Sequence, residues 1–150
     1  MKIGVLVCLL PIILLTPVAK AYQESFVGDV RVASEPACTQ IFIQVPERTG
    51  YVAKDSTSPP RIVLNLYPVK MNLPYKEIPV VDKFIQKICL LRDSANVVKT
   101  TVDLNTPKYS FNVYSQAYPS AVVVEVGPLK KDVVQALLGI DNTEVGQTQR

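Results

Sequence analysis

Eight short runs of alternating apolar and polar residues, divided by prolines and polar joints, limit this chain more than any other feature. They lie at 27–34 (VGDVRVAS), 39–45 (TQIFIQV), 50–54 (GYVAK), 61–66 (RIVLNL), 84–92 (FIQKICLLR), 97–104 (VVKTTVDL), 108–115 (KYSFNVYS) and 121–126 (AVVVEV). β-branched and aromatic residues fill them, and such side chains fit a pleated surface that is covered on one side. Pro36, Pro46, Pro59, Pro60, Pro74, Pro79, Pro107 and Pro119 fall between the runs or at their ends, where a missing amide donor does least harm. The series predicts an all-β sandwich or barrel. One segment differs: in 129–139 (LKKDVVQALLG), Val133, Val134, Leu137 and Leu138 share one helical face and Gly139 is a stop, so a short C-terminal helix is expected before a polar tail.

The runs also repeat. Val30 matches Ile88, Gln40 matches Lys99, Thr49 matches Lys108 and Arg61 matches Ala121, each pair about 58 to 60 positions apart. That spacing is one four-strand unit, so the chain reads as an internal duplication giving two symmetric four-stranded sheets, each covering the apolar face of the other. RIVLNL and KTTVDL look alike without being equivalent, since one is the fourth strand of the first unit and the other the second strand of the second. A lipocalin-like barrel carrying a small apolar ligand fits less well, because two small matched halves favour a packed core over a cavity.

Strand alternation assigns the core. Ile41, Ile43, Val45, Ile62, Leu64 and Leu66 are expected to point inward from the first half, and Ile88, Leu90, Val102, Leu104, Val122, Val124 and Val126 from the second. Arg31, Gln40, Phe42, Gln44, Arg61, Asn65, Lys99, Thr101, Asp103 and Glu125 are expected to point outward. For any one of these, a solvated sheet face is the default. Taken together, Gln, Asn, Arg and Asp on a flat face with Phe42 as a stacking platform suit a glycan chain, which needs many modest hydrogen bonds rather than one deep pocket.

The first residues stand apart from this pattern. Residues 1–21 combine Lys2, an apolar run from Ile3 to Leu15, and small residues at Ala19 and Ala21, which is the layout of a secretory signal peptide cleaved after Ala21. The run is broken by Pro11 and is shorter than the roughly 20 apolar residues of a membrane span, so no span is expected after cleavage. A domain over 22–128 and a helix with a polar tail over 129–150 would follow. Cleavage removes Lys2 and Lys20, leaving 14 basic residues against 13 acidic ones and lowering the net charge from +3 to +1. Phosphate-tracking surfaces need several cations on one face, and the longest basic cluster is Lys130-Lys131, so nucleic acid is not an expected partner.

Chemistry-bearing residues are few. There is no histidine among the 150 residues, which removes Ser-His-Asp and Cys-His nucleophile systems and the usual zinc hydrolases. Carboxylate-only chemistry would need acids such as Asp103 and Glu125 to meet. The six glycines are scattered, so no phosphate-cradling loop appears. No catalytic residue, metal or cofactor is expected. Cys38 and Cys89 remain after cleavage; in an oxidising compartment they either pair, stabilising the fold by about 2 to 4 kcal/mol, or stay as separate thiols. Their alternation puts them outward on different sheets.

VGDVRVASEP followed by TQIFIQV, RIVLNL, FIQKICLLRD, VVKTTVDL and AVVVEVGP resembles the AMIN domain, a module of bacterial cell-wall amidases and type IV pilus secretins. The resemblance covers roughly residues 26–128. It implies a sandwich of two related four-stranded sheets, a periplasmic location, and binding to peptidoglycan that localises the protein in the cell envelope. The basic residue that opens the second strand of each half in this family is Gln40 in the first copy and Lys99 in the second, and the Asp near the end of that strand is Gln44 and Asp103. The candidate peptidoglycan-binding residues are therefore Arg31, Phe42, Arg61, Asn65, Lys99 and Asp103. The alternative is an accessory protein that docks onto a secretin, a type IV pilus or another envelope complex by an edge strand or the C-terminal helix, with a secretin or amidase as the expected protein partner.

Overall fold

The computed structural model describes residues 25–130, and within them the expected runs become strands. The strands are β1 (Val30–Ser34), β2 (Thr39–Gln44), β3 (Gly50–Thr57), β4 (Pro60–Tyr67), β5 (Tyr75–Pro79), β6 (Ile85–Ser94), β7 (Val97–Leu104), β8 (Ser110–Gln116) and β9 (Ala121–Gly127). They form two antiparallel sheets, one of four strands in the order β1-β2-β9-β8 and one of five in the order β3-β4-β7-β6-β5. The expected signal peptide, C-terminal helix and polar tail lie outside the described residues, apart from Leu129 and Lys130. Among the described residues no helix is long and apolar enough to cross a membrane.

Two details depart from expectation. The second sheet has five strands rather than four, because residues 75–79 add β5 at its edge. Their sequence, YKEIP, has no run of alternation, since an edge strand covers little core and only Ile78 is partly buried against it. Each sheet also draws on both halves of the chain: β1 and β2 join β8 and β9, while β3 and β4 join β5 to β7.

The core follows the alternation closely. Every side chain assigned inward is buried, from Ile41, Ile62, Leu64 and Val124 at 0% exposure to Val45 at 6%. Side chains of this size gain roughly 1.5 to 3 kcal/mol each on full burial, so the layer between the sheets is the main source of stability. Val69, Ile85 and Val98 complete it from strand ends and a connection.

Polar contacts close the rim. On one side the edge strands β3 and β8 are stitched by two tyrosines: the Tyr51 hydroxyl donates to the Val113 carbonyl at 2.8 Å, and the Tyr109 hydroxyl donates to Asp55 Oδ2 at 3.1 Å. Burial, together with the Asp55 carboxylate, pushes the Tyr109 hydroxyl up to about 12, so it stays a donor. At one end Asp82, in the β5–β6 connection, accepts from Ser34 Oγ at 2.6 Å and Thr39 Oγ1 at 2.9 Å in the other sheet, and from the Phe84 and Ile85 amides at 2.8 and 3.1 Å. Arg92 holds the long β4–β5 connection by donating to the Met71 and Asn72 carbonyls.

Candidate functional site

A sandwich leaves two broad outward faces, and the six candidate residues divide between them. Arg31 and Phe42 stand on the four-stranded sheet, opposite each other on β1 and β2. Arg61, Asn65, Lys99 and Asp103 stand on the five-stranded sheet, where Arg61 faces Asp103 and Asn65 faces Lys99 across β4 and β7. A core about 10 Å thick separates the sets, so no single ligand touches both.

On the four-stranded sheet the residues lie in rows across the strands. One row is Arg31, Phe42, Val123 and Tyr114, and the row beside it is Ala33, Gln40, Glu125 and Asn112. Val123 is fully buried although it faces away from the core, because it lies between Phe42 and Tyr114 in that row. Gln44, Ala121 and Gln116 form a further row, and with Arg31, Phe42 and Pro119 they border a shallow cleft of about 560 Å³. A second depression of about 620 Å³ continues the face past Asn112 and Glu125 to Cys38 and Ser110. Gly127 floors it on the central strand β9; a Cβ there would come within 3.4 Å of the Ala37 carbonyl and narrow the depression.

This face carries little free charge. Arg31 Nε pairs with Asp29 at 3.0 Å, and that contact holds the Asp29 carboxyl below its ordinary range. Gln40 Nε2 donates to Glu125 Oε2 at 3.1 Å. Gln116 Nε2 donates to the Tyr118 and Pro119 carbonyls, and Gln44 Oε1 accepts from the Asp29 amide. What remains is Asn112 and the unused amide groups of Gln40, Gln44 and Gln116 around two rings, able to hydrogen-bond hydroxyls and acetamido groups laid along the sheet. Tyr114, Gln116 and Asn112 are not among the sequence candidates. The alternation of SFNVYSQ marks them as one side of a strand, but only the β8–β9 pairing places them beside Phe42.

The five-stranded face is different in kind. Arg61 Nη2 sits 3.2 Å from Asp103 Oδ1 and Lys87 Nζ 3.3 Å from Glu77 Oε2, in a block of alternating charge. Arg61 Nε and Asn65 Oδ1 are covered and have no hydrogen-bond partner within the protein. At the β5 edge the Tyr75 hydroxyl donates to Glu77 at 2.6 Å; this bond, reinforced by Lys87, holds the Glu77 carboxyl below its ordinary range.

Asp103 and Glu125 face opposite sides of the sandwich, so they do not form a pair of acids around one reacting bond. Among the described residues no group of three His, Cys, Asp or Glu side chains is placed to hold a metal ion. Cys38 and Cys89 are both free thiols; Cys89 stands on β6 of the five-stranded sheet as expected, whereas Cys38 lies in the β1–β2 connection just before β2 rather than on a sheet face. Burial, with Glu125 and Glu35 nearby, pushes the Cys38 thiol above its ordinary value. Alkylation of the unreduced chain starting at Tyr22 is expected to add two iodoacetamide adducts by mass, on Cys38 and Cys89. An unmodified mass short of two hydrogens would mean the thiols had joined.

In comparisons with known proteins, no family model matches this chain and no curated protein matches it in sequence.

Proposed function

We propose that this chain is an exported, non-catalytic module of the bacterial cell envelope that binds the glycan of peptidoglycan along the outer face of its four-stranded sheet. The observation that carries this reading is the composition of that face: Phe42 and Tyr114 flank Val123, with Gln40, Gln44, Asn112 and Gln116 around them. Sugars offer flat C–H faces to rings and hydroxyls to amides, and a shallow cleft open along its length suits a polymer better than a small molecule. The AMIN resemblance of the sequence points to the same ligand class, and the leader-like residues 1–21 point to the periplasm.

The internal duplication belongs to this proposal, and the strand order supports it. If β1 to β4 correspond to β6 to β9, the order β1-β2-β9-β8 becomes β6-β7-β4-β3, which is the five-stranded sheet without β5. Exchange of the two halves then swaps the sheets and places the row Arg31, Phe42, Val123, Tyr114 on the row Cys89, Thr101, Val63, Lys54. Equivalent positions of the two copies thus carry amides and rings on one face, and charges with exposed apolar groups on the other.

The reading is tested by sedimentation of the chain starting at Tyr22 with purified sacculi. Phe42→Ala combined with Tyr114→Ala is expected to weaken retention about tenfold, the effect of losing roughly 1.4 kcal/mol of ring contact. Arg61→Ala, Lys99→Ala and Asp103→Ala together are expected to leave retention unchanged. A wild-type chain that stays in the supernatant at low salt ends the glycan reading, and retention lost only in the triple variant moves the site to the other sheet.

A further inference from the structure

The five-stranded face carries an exposed apolar row that the glycan reading does not use. Val52, Asn65, Lys99, Leu91 and Tyr75 are successive register partners across β3, β4, β7, β6 and β5. Val52 is 44% exposed, Leu91 43% and Tyr75 49%, and Tyr67, at 44%, lies on β4 in the adjoining row. Leu91 and Tyr75 stand side by side, Val52 and Tyr67 lie across Asn65 and Lys99 from them, and all four are left half open on one end of one sheet, the kind of exposed apolar surface that marks a contact site.

Charge selects the partner. Arg61 and Lys87 on this face already meet Asp103 and Glu77, whereas Lys54 and Lys99 have no acidic partner among the described residues. Lys99 lies in the middle of the apolar row, between Asn65 and Leu91. Covering that row with apolar groups alone would strip water from its ammonium without compensation, so the covering surface must bring carboxylates. Two copies of this chain stacked face to face about an axis along the central strand β7 would set Lys99 against Lys99, leaving that ammonium without a carboxylate.

The dimensions suggest the shape. Five strands at about 4.8 Å spacing make the row roughly 19 Å long. A helix rising ~1.5 Å per residue covers that length in about 13 residues, with apolar side chains at every third or fourth position meeting the row. We propose that the outer face of the five-stranded sheet docks an acidic amphipathic helix of a partner protein, laid across the strands along Val52, Lys99, Leu91 and Tyr75. The module would then hold glycan on one face and a protein on the other, bridging the two. The inference does not depend on the glycan reading, since it concerns the opposite face.

The test uses the purified chain starting at Tyr22 and three labelled synthetic peptides of about 14 residues, long enough to span the row at ~1.5 Å per residue. The first carries leucines on one helical face and glutamates beside them, the second has lysine for every glutamate, and the third is a scramble of the first. Fluorescence anisotropy is expected to show the first peptide binding at least about tenfold tighter than the other two, a difference that reports both charge and periodicity. Lys54→Glu with Lys99→Glu is expected to reverse the charge preference, and Leu91→Ser to weaken the first peptide about tenfold, comparable to a central interface contact. Circular dichroism is expected to be unchanged in these surface variants, and Phe42→Ala is expected to bind the first peptide like wild type. Equal binding of the glutamate and lysine peptides overturns the proposal, as does no binding of the first at millimolar concentration. Self-association abolished by Leu91→Ser, without peptide binding, would replace the partner helix by a second copy of the chain. Sacculus sedimentation of the same variants separates the two faces: loss of retention in Lys54→Glu with Lys99→Glu would put the glycan here and remove the helix.

Discussion

Replacing Asp82 by alanine is expected to destabilise the fold by about 3 kcal/mol, since hydrogen bonds to a charged group contribute roughly 1.5 to 3 kcal/mol each and those sharing one carboxylate do not add fully. Two of its four donors, Ser34 and Thr39, belong to the four-stranded sheet, and the other two are the amides that turn the chain into β6 of the five-stranded sheet. Thr39 is fully buried, so its hydroxyl would lose its acceptor without gaining water. Nearby, Asn105 donates to the Asp82 carbonyl and Lys83 to the Pro36 carbonyl, so the loss would loosen the whole end of the sandwich. For a domain of this size such a loss lowers the midpoint by roughly 10 to 20 °C. Asp82→Asn keeps one carbonyl oxygen as acceptor and is expected to lose about half as much. Urea titration of the three proteins decides it; a loss below about 1 kcal/mol for Asp82→Ala would mean the sheets are not joined through this carboxylate.

The same contact has a pH signature. Burial is the largest influence on Asp82 and raises its pKa, but the hydrogen bonds from Ser34, the Phe84 amide, Thr39 and the Ile85 amide together outweigh it, leaving the carboxyl below its ordinary 3.8. A carboxyl depressed by folding contributes stability that is whole above the unfolded value and is lost as the pH falls through the folded one. The stability gap between wild type and Asp82→Ala is therefore expected to be full near neutrality and to close only as the pH drops below 3.8.

Which parts of this were legible in the sequence follows from the range of the interactions. Alternation is local, so the run RIVLNL already places Ile62, Leu64 and Leu66 inward and Arg61 and Asn65 outward, and the structure agrees. Sheet membership is not local: nothing in TQIFIQV states that its neighbour is AVVVEV, 82 positions later, rather than RIVLNL. For the same reason alternation alone does not separate Arg31 and Phe42 from Arg61, Asn65, Lys99 and Asp103, nor set Tyr114 and Gln116 near Phe42. β5 was hidden because an edge strand with exposed side chains has no apolar rhythm to show. Asp82 carries no pattern at all, as a lone carboxylate in a connection acquires its role only from the hydroxyls that another sheet brings to it.

Leu64→Ala is expected to cost about 3 to 4 kcal/mol, the usual loss when a large apolar side chain leaves a cavity that its neighbours cannot fill. Leu64 sits at the centre of β4 with 0% exposure, paired to Ala53 on one side and Thr100 on the other, and β4 is itself held between β3 and β7. A strand fixed by ladders on both sides cannot shift to close the gap. The two adjacent valines of β9 provide the internal comparison. Val123 and Val124 are both fully buried, but Val124 points into the core cluster whereas Val123 points out toward the row of Phe42 and Tyr114 and is not part of that cluster. Val124→Ala is expected to cost about 2 to 3 kcal/mol, from two lost methylene equivalents at ~0.8 kcal/mol each and the cavity they leave. Val123→Ala is expected to cost about 1 kcal/mol, because the flanking rings can settle into the space and water can reach it. The same substitution lowers the floor between the rings, so it is expected to weaken sacculus retention while Val124→Ala, at matched folded fraction, leaves it unchanged. Urea denaturation and sedimentation of the three variants measure both quantities. Equal destabilisation by the two valine changes would mean that the Phe42–Tyr114 row is packed as a second core rather than left open as a binding surface.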